Sequence, residues 1–170
     1  ENLHGVMIYQ SMSGDAAVGQ ASFSMTGGTL TTTAGDLFYV TNTNCTILLS
    51  GVKLGLANGT LLTVAGNDAS RGWGTAGSNG GTVVLTADGQ VLTGVITVDD
   101  ISSLTLTLEN GTAYTGCINP DGQAGTAAVT LDGTSTWTLT GDCWLTSFEG
   151  STANIVSNGY TVYVNGTAIN

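Results

Sequence analysis

Apolar and polar residues alternate along residues 81–119, and this alternation predicts β-strands. Threonine fills most of the positions between the apolar ones, which suits the outer side of a pleated surface. The apolar sets in this stretch are Val83 and Leu85, then Ile96 and Val98, then Leu104, Leu106 and Leu108. Because successive strand residues point to opposite faces, each set lies on one face of a strand. No window carries the apolar spacing that buries one side of a helix.

Glycines that end such strands recur along the chain at similar intervals. They are Gly27, Gly51, Gly89, Gly111, Gly133 and Gly159, with spacings of 24, 38, 22, 22 and 26 residues. The long interval contains NDASRGWGTAGSNG, residues 67–80, which we interpret as a loop inserted into one repeat. Short strands that repeat in this way are typical of a β-solenoid, whose stacked coils bury one another's inner faces. We therefore predict an all-β chain of roughly six coils of about 22–26 residues.

The length of 170 residues fits a single domain, which we predict over residues 1–170. Residues 1–20 are expected to form an N-terminal partial coil or cap, because GVMIY at 5–9 is similar to GDLFYV at 35–40. Residues 152–170 are expected to form a C-terminal coil or cap. The side chains expected to face the core include Leu85, Val98, Leu104, Leu106, Val129, Leu131 and Leu139.

Charged residues are scarce, with Lys+Arg 2 against Asp+Glu 12 and a net charge of −10. The only basic residues besides one histidine are Lys53 and Arg71, so nothing neutralises phosphate, and nucleic-acid binding is excluded. An anionic membrane would repel the chain, and no apolar run is long enough to span a bilayer. The surface rich in threonine, serine and asparagine is atypical of a cytosolic protein.

The cysteines are Cys45, Cys117 and Cys143, an odd number that allows one disulfide plus a free thiol, or an intermolecular link. TGCIN and TGDCWL lie in comparable places of successive coils, so Cys117 and Cys143 are expected to be neighbours. They are either small buried thiols that pack as hydrophobes, or partners in a disulfide. No CxxC or CxxH spacing supports a zinc site.

Candidate site residues fall into two groups, neither of them catalytic. Asp99 and Asp100, the only adjacent acidic pair, are either a solvated turn or part of a calcium site built from turn carboxylates. Trp73 and Asn79, in the inserted loop, are candidates for binding a sugar. His4, the only histidine, has no partner in the sequence that would make a catalytic triad, and no GxSxG motif occurs. We predict that the protein is not an enzyme.

Several segments resemble secreted right-handed parallel β-helix proteins of gut-type Firmicutes. They are DLFYVTNTNCTILLSGV, GSNGGTVVL, DGQVLTGVITVDDISSLTLTLENGT and STWTLTGDCWLTSFEG. The resemblance covers roughly residues 5–167 and implies a right-handed parallel β-helix, with an adhesin- or autotransporter-like role. A carbohydrate-binding branch is similar in the DGQ segment and implies calcium and polysaccharide. Polysaccharide lyases share the fold, but they use Asp clusters with Lys or Arg, which this chain nearly lacks.

Together these features favour a non-enzymatic structural or adhesin-type module, extracellular or on the cell surface, that assembles end-to-end into filaments. The alternative is a carbohydrate-binding module for polysaccharide, assisted by calcium. The expected partners are further copies of the chain or glycans of a host or cell surface, without nucleic acid or membrane insertion.

Overall fold

The fold is all-β and is built from parallel sheets. A computed structural model describes residues 3–10, 19–66, 77–122 and 125–170. Within these ranges no α-helix occurs, and the only helical turn is a short 3₁₀ turn at Thr152–Asn154. None of the described residues belongs to a helix with the length and apolarity that crossing a membrane requires.

The strands are short, and most are joined by tight turns. The first nine are β1 (His4–Tyr9), β2 (Gly19–Thr26), β3 (Thr29–Thr31), β4 (Asp36–Thr41), β5 (Thr43–Ser50), β6 (Lys53–Gly55), β7 (Thr60–Val64), β8 (Thr82–Asp88) and β9 (Val91–Thr93). The others are β10 (Val95–Val98), β11 (Ser103–Glu109), β12 (Ala113–Gly116), β13 (Thr126–Leu131), β14 (Thr136–Leu139), β15 (Cys143–Leu145), β16 (Ser147–Gly150), β17 (Ile155–Val156), β18 (Val162–Val164) and β19 (Thr167–Ala168).

Strands from successive repeats lie side by side in each sheet. The largest sheet has six strands in the order β16-β13-β11-β8-β5-β2, all parallel. Two four-stranded parallel sheets have the orders β1-β4-β7-β10 and β17-β14-β12-β9. A two-stranded sheet joins β3 to β6, and a three-stranded sheet has the order β15-β18-β19. Only its β18–β19 pair, among the described strands, is antiparallel.

The register keeps equivalent residues of neighbouring repeats opposite one another. In the six-stranded sheet, Leu104 pairs with Val83 on one side and with Ala127 on the other. Hydrogen bonds that join one repeat to the next connect residues 24, 21, 23 and 19 apart in the chain. This spacing is close to the interval of the turn glycines.

The core consists of the inward rows of these sheets. All seven side chains predicted to face it are buried: Leu85, Val98, Leu104, Leu106, Val129, Leu131 and Leu139. Trp137 also lies in the core, where it stacks on Tyr114 with ring centroids 5.7 Å apart. Its indole Nε1–H donates to the carbonyl of Gly116 at 3.1 Å, which satisfies the polar atom of a fully buried side chain.

Two ends of the chain show how far the repeat pattern carries. The similarity of GVMIY to DLFYV is confirmed as a structural equivalence, because β1 pairs with β4 and Val6 lies opposite Phe38. At the other end, the spacing of Gly133 and Gly159 is misleading. β16 begins at Ser147 and pairs with β13, so the last repeat starts earlier than the glycine spacing indicates. The 3₁₀ turn and the strands β17, β18 and β19 complete residues 152–170.

Candidate functional site

A groove crosses the outer side of the β7–β10 pair near the carboxyl ends of these strands. We call it the Asn119 groove, and its volume is about 280 Å³. Its polar lining residues are Thr63, Thr97, Asp99, Asn119 and Asp121. Its half-buried apolar residues are Ala65 and Pro120, whereas Val64 and Val98, which also border it, have side chains buried in the core. The groove therefore combines hydroxyl, carboxylate and amide groups with an apolar surface.

Two threonines from adjacent strands form one wall of the groove. Thr97 of β10 lies opposite Thr63 of β7 in the parallel register, so both side chains point to the same outer face. The Thr97 hydroxyl donates to the Thr63 hydroxyl at 3.2 Å. Both residues are half-buried, so the linked hydroxyls can still exchange hydrogen bonds with another molecule.

Asn119 extends this sheet by one more strand position and then turns. Its neighbour Ile118 bridges Ile96, and the Asn119 N–H donates to the Ile96 carbonyl at 2.9 Å. The backbone of Asn119 then adopts a φ of 50°, a left-handed conformation that asparagine tolerates better than most residues. In this conformation its side-chain Oδ1 accepts the Val98 N–H at 2.7 Å.

The other side-chain atom of Asn119 is the most unusual feature of the groove. The residue is 3% exposed, and its Nδ2 has no hydrogen-bond partner among the described residues. Buried donors in folded proteins are almost always paired, and this one has less than 1 Å² of accessible surface, so the fold shields it from the groove.

Asp99 and Asp121 place carboxylates at the rim. Asp99 is half-buried and largely engaged, since its Oδ2 accepts the Gly66 N–H at 2.6 Å and its Oδ1 accepts the Ile101 N–H at 3.3 Å. Asp121 is exposed in the turn that follows Pro120. The groove thus carries negative charge, and no lysine or arginine lines it.

An aromatic pair borders the same turn. Trp144 of β15 donates its backbone N–H to the Ile118 carbonyl at 3.0 Å, which places it one strand beyond Asn119. Its indole stacks on Tyr163 with ring centroids 4.4 Å apart. A Cβ atom at Gly122 would lie 3.6 Å from the indole Cε2, so the Asp121–Gly122 turn packs against this ring.

Of the two residues of the inserted loop that are predicted to bind a sugar, the structure describes only Asn79, so this site stays a prediction. Trp73 lies outside the described residues. Asn79 has a φ of 63° and holds the backbone, because its carbonyl accepts the Asn42 N–H at 2.8 Å and the Thr41 hydroxyl at 3.2 Å. Its Nδ2 also donates to Asn42 Oδ1 at 3.3 Å. Asn79 is therefore a structural residue at the end of the insertion.

Asp99 and Asp100, the acidic pair, have different surroundings. Asp99 lines the Asn119 groove, while Asp100 lies in the following turn and is exposed. Throughout the described ranges, no group of three or more His, Cys, Asp or Glu side chains could hold a metal ion. The calcium site remains a prediction, without a ligand cluster among these residues.

The three cysteines are buried thiols, and Cys117 and Cys143 are not bridged in this structure. The expected closeness is nevertheless present, since Cys143 Sγ accepts the Ile118 N–H at 3.4 Å. Burial raises the pKa of the Cys143 thiol to about 12, and it also raises the pKa values of Cys45 and Cys117. Such thiols carry almost no thiolate near neutral pH and are poor nucleophiles.

His4 has a structural environment. Its ring stacks on Tyr39 at 4.4 Å, and its Nδ1 lies 3.8 Å from Asp36 Oδ2. Its position across β1 and β4 follows from the register that pairs His4 with Asp36.

Sequence reasoning identified NPDG, residues 119–122, as a turn but did not identify the groove. The signal available was an asparagine before the only proline, in a turn that follows an apolar strand position.

Comparisons with protein-family models, with curated proteins and with solved structures found no match to this chain.

Proposed function

We propose that the chain is a right-handed parallel β-helix that serves as a non-enzymatic structural or adhesin-type module outside the cell. The observation that carries the proposal is the parallel pairing of equivalent strands across six strands of one sheet and four strands of each of two others, with one register shift, in the β7–β10 pair. Each strand returns to the same sheet after one repeat, and such crossovers between parallel strands are almost always right-handed. A stack of this kind is stiff because each coil buries the inner face of the next.

The solvent-facing sides of the sheets suit a module that contacts other molecules and catalyses no reaction. Hydroxyl rows run across the coils, such as Thr93, Thr115 and Thr138 on adjacent strands β9, β12 and β14. Few charged side chains interrupt these rows, since the whole chain has only 2 basic and 12 acidic residues. Such faces offer many weak polar contacts to a neighbouring molecule.

End-to-end assembly is the second part of the proposal. In the six-stranded sheet, β2 is an outer strand of eight residues, and its inward-facing Phe23 and Met25 are only half-buried. Among the described strands only β5 pairs with β2, and a long outer strand of this kind can pair with a second chain. At the opposite end, the strands are shorter, and antiparallel β19 covers β18. Association through β2 is therefore better supported than association through β18.

Sedimentation velocity over a wide protein concentration range tests the assembly. We expect the parent to form larger species as concentration rises, and Ser22→Lys/Ser24→Lys to stay monomeric, because lysines on an outer strand oppose pairing. The control is Thr105→Lys/Thr107→Lys on β11, which adds the same charge to the same sheet away from its edge. A parent that remains monomeric throughout, or a control that blocks association equally, would refute assembly through β2.

Small-angle scattering tests the module itself. Six coils at the usual inter-strand distance of about 4.8 Å make a compact stack with a height on the order of 30 Å. A scattering profile of an expanded, non-compact chain would contradict the proposed β-helix.

A further inference from the structure

We propose that β2 pairs with β2 of a second copy of the chain, in the antiparallel direction, so that two copies form a closed dimer about a two-fold axis. The inference rests on the proposed association through β2, and it adds the partner, the direction of pairing and the size of the product. It is carried by the sequence of β2 and by the difference between the two ends of the six-stranded sheet.

The core is incompletely covered at the β2 end of the stack. Phe23 and Met25 of β2 belong to the inward rows, since they lie opposite Ile47 and Leu49 of β5 in the parallel register. Ile47 and Leu49 are 0% exposed, whereas Phe23 and Met25 are only half-buried. Burial is complete where strands lie on both sides, and β5 is the only described strand beside β2 in this sheet. A strand from another chain would supply the missing cover.

The same end of the stack is uncharged, although the chain has a net charge of −10. Residues 3–10 and 19–35, which contain β1, β2 and β3, include no Asp, Glu, Lys or Arg. Outer strands of natural sheets often carry a charged side chain that prevents pairing with another chain, and β2 has none. Two copies of an acidic chain can meet at this end without bringing carboxylates together, whereas a basic partner would be attracted to the acidic turns elsewhere. The charge distribution therefore favours a second copy.

The sequence of β2 suits antiparallel pairing with itself, centred on Phe23. In that register Phe23 lies opposite Phe23 of the second copy, and Ala21 lies opposite Met25, so a small side chain faces a long one on the inner side. On the outer side Ser22 lies opposite Ser24, and the two hydroxyls can bond across the chains. Both copies contribute the same residues, as a two-fold contact requires.

The opposite end of the six-stranded sheet is a poorer partner for β2. Its outer strand β16 is four residues long, against eight for β2, and it carries Glu149. Head-to-tail pairing with β16 would leave half of β2 uncovered and would place a charge at the contact. It would also build an open filament, whereas two-fold pairing uses both β2 strands and stops at two copies.

Disulfide trapping with variants that each add one exposed cysteine tests the arrangement, because a disulfide requires Cα atoms within about 7 Å of each other. The variants are Ser22→Cys, Ser24→Cys and Ser147→Cys, all at exposed positions. They are mixed in pairs under reductant and oxidised after its removal, and the products are separated by mass. The parent, whose own thiols are buried, is the control. Near-UV circular dichroism establishes beforehand that each variant is folded.

We expect Ser22→Cys mixed with Ser24→Cys to give a disulfide-linked dimer, because these positions lie opposite each other in the proposed pair. Either variant alone should lose most of this product, since two copies of one position then lie on a diagonal of the pair, about 7–8 Å apart. Sedimentation equilibrium of the parent should reach twice the chain mass of 17.1 kDa at high concentration and rise no further.

A different pattern would identify head-to-tail assembly. Ser22 and Ser147 occupy the same row of the sheet, through Thr46, Val84 and Thr105 and the strands between them, so they would meet in a parallel continuation. Cross-linking of Ser22→Cys with Ser147→Cys, together with growth beyond two copies, would overturn the closed dimer and leave association through β2 standing.

Two further results would also overturn the proposal. A parent that stays monomeric, without a cross-link in any mixture, would refute the dimer and the proposed assembly together, and would mean that another part of the chain covers β2. Equal cross-linking of all pairs and of the single variants would show random encounters and no fixed register. The scattering test of the β-helix itself is independent of all these outcomes.

Discussion

Gln90 completes the backbone hydrogen bonding of Val52, a residue in the preceding repeat of the chain. Its side-chain Oε1 accepts the Val52 N–H at 2.8 Å, and its Nε2 donates to the Val52 carbonyl at 2.7 Å. The contact lies where the β3–β6 sheet ends and the β9-containing sheet begins, so no strand ladder joins these two repeats there. The amide of a fully buried glutamine therefore substitutes for a missing backbone pair.

We predict that Gln90→Met lowers the free energy of unfolding by roughly 2–5 kcal/mol, because two buried backbone groups of Val52 lose their partners. Methionine keeps a similar length, so most of the loss comes from hydrogen bonds and not from a cavity. Urea denaturation measures the change. Gln20→Met, at an exposed position of β2, is the control and should be close to neutral. Equal effects of the two substitutions would show that the Val52 contact contributes little.

Leu106 provides a test of the predicted core. The side chain is 0% exposed in the central strand β11, between Leu85 and Val129 of the neighbouring strands. We expect Leu106→Ala to cost about 2–5 kcal/mol, through lost burial and the cavity that remains. Thermal and urea unfolding measure it, with Thr107→Ala on the outer side of the same strand as the control. A Leu106→Ala melt that matches the parent would place this residue outside the stabilising core.

The alternation of apolar residues predicted the strands and the core correctly, because it reports which face of each strand is buried. Leu85, Leu104 and Leu106 are identified without knowing any partner strand. The equivalence of β1 and β4 was also recognisable, because paired strands of neighbouring repeats carry similar apolar patterns.

The features that the sequence did not predict depend on which repeats become neighbours. Gln90 is one of several polar residues near a turn, and its contact with Val52 follows only from the break between two sheets. Likewise, the Asn119 groove requires Thr63, Thr97 and Asn119 to come together from three repeats. The interval of 26 between Gly133 and Gly159 misplaced the last repeat, because a turn glycine marks a bend but not which bend of the coil it is.

Asp132 makes stability depend on pH in the acid range. Its Oδ2 accepts the Asn110 N–H at 2.8 Å, and its Oδ1 accepts the N–H groups of Thr134 and Ser135 at 2.9 and 2.8 Å. These bonds, the one from Asn110 first, hold the pKa of the carboxyl well below its ordinary value of 3.8. A lowered pKa in the folded state means that the contribution is complete above pH 3.8 and is lost as the pH falls below it.

We therefore predict that Asp132→Asn destabilises the protein most at pH 7, and that its melting temperature approaches that of the parent between pH 4 and pH 2. Melting curves at several pH values measure the difference between the two proteins, which removes the general effect of titrating an acidic chain. Asp100→Asn, at an exposed turn, is the control for neutralising one carboxylate. A melting difference that stays constant from pH 7 to pH 2 would exclude the proposed role of the Asp132 charge.

The last prediction concerns the thiols, and it decides between the two states that the sequence left open. Cys45, Cys117 and Cys143 are all buried, and burial raises the pKa of each, to about 12 for Cys143. Because the thiolate is the reactive form, none should react with a disulfide reagent such as 5,5′-dithiobis(2-nitrobenzoate) in the folded protein at pH 8. Denaturant should release three reactive thiols, all without a reductant.

Two comparisons make that measurement decisive. Cys45→Ser should leave two reactive thiols in denaturant if Cys117 and Cys143 are free, and none if they are joined. Adding a reductant before the denaturant should change the count only in the joined state. If the unreduced parent yields one thiol and Cys45→Ser yields none, the protein carries a Cys117–Cys143 disulfide. In that case the closeness seen at Ile118, where Cys143 Sγ accepts the backbone N–H, would reflect a covalent link between neighbouring repeats and not two packed thiols.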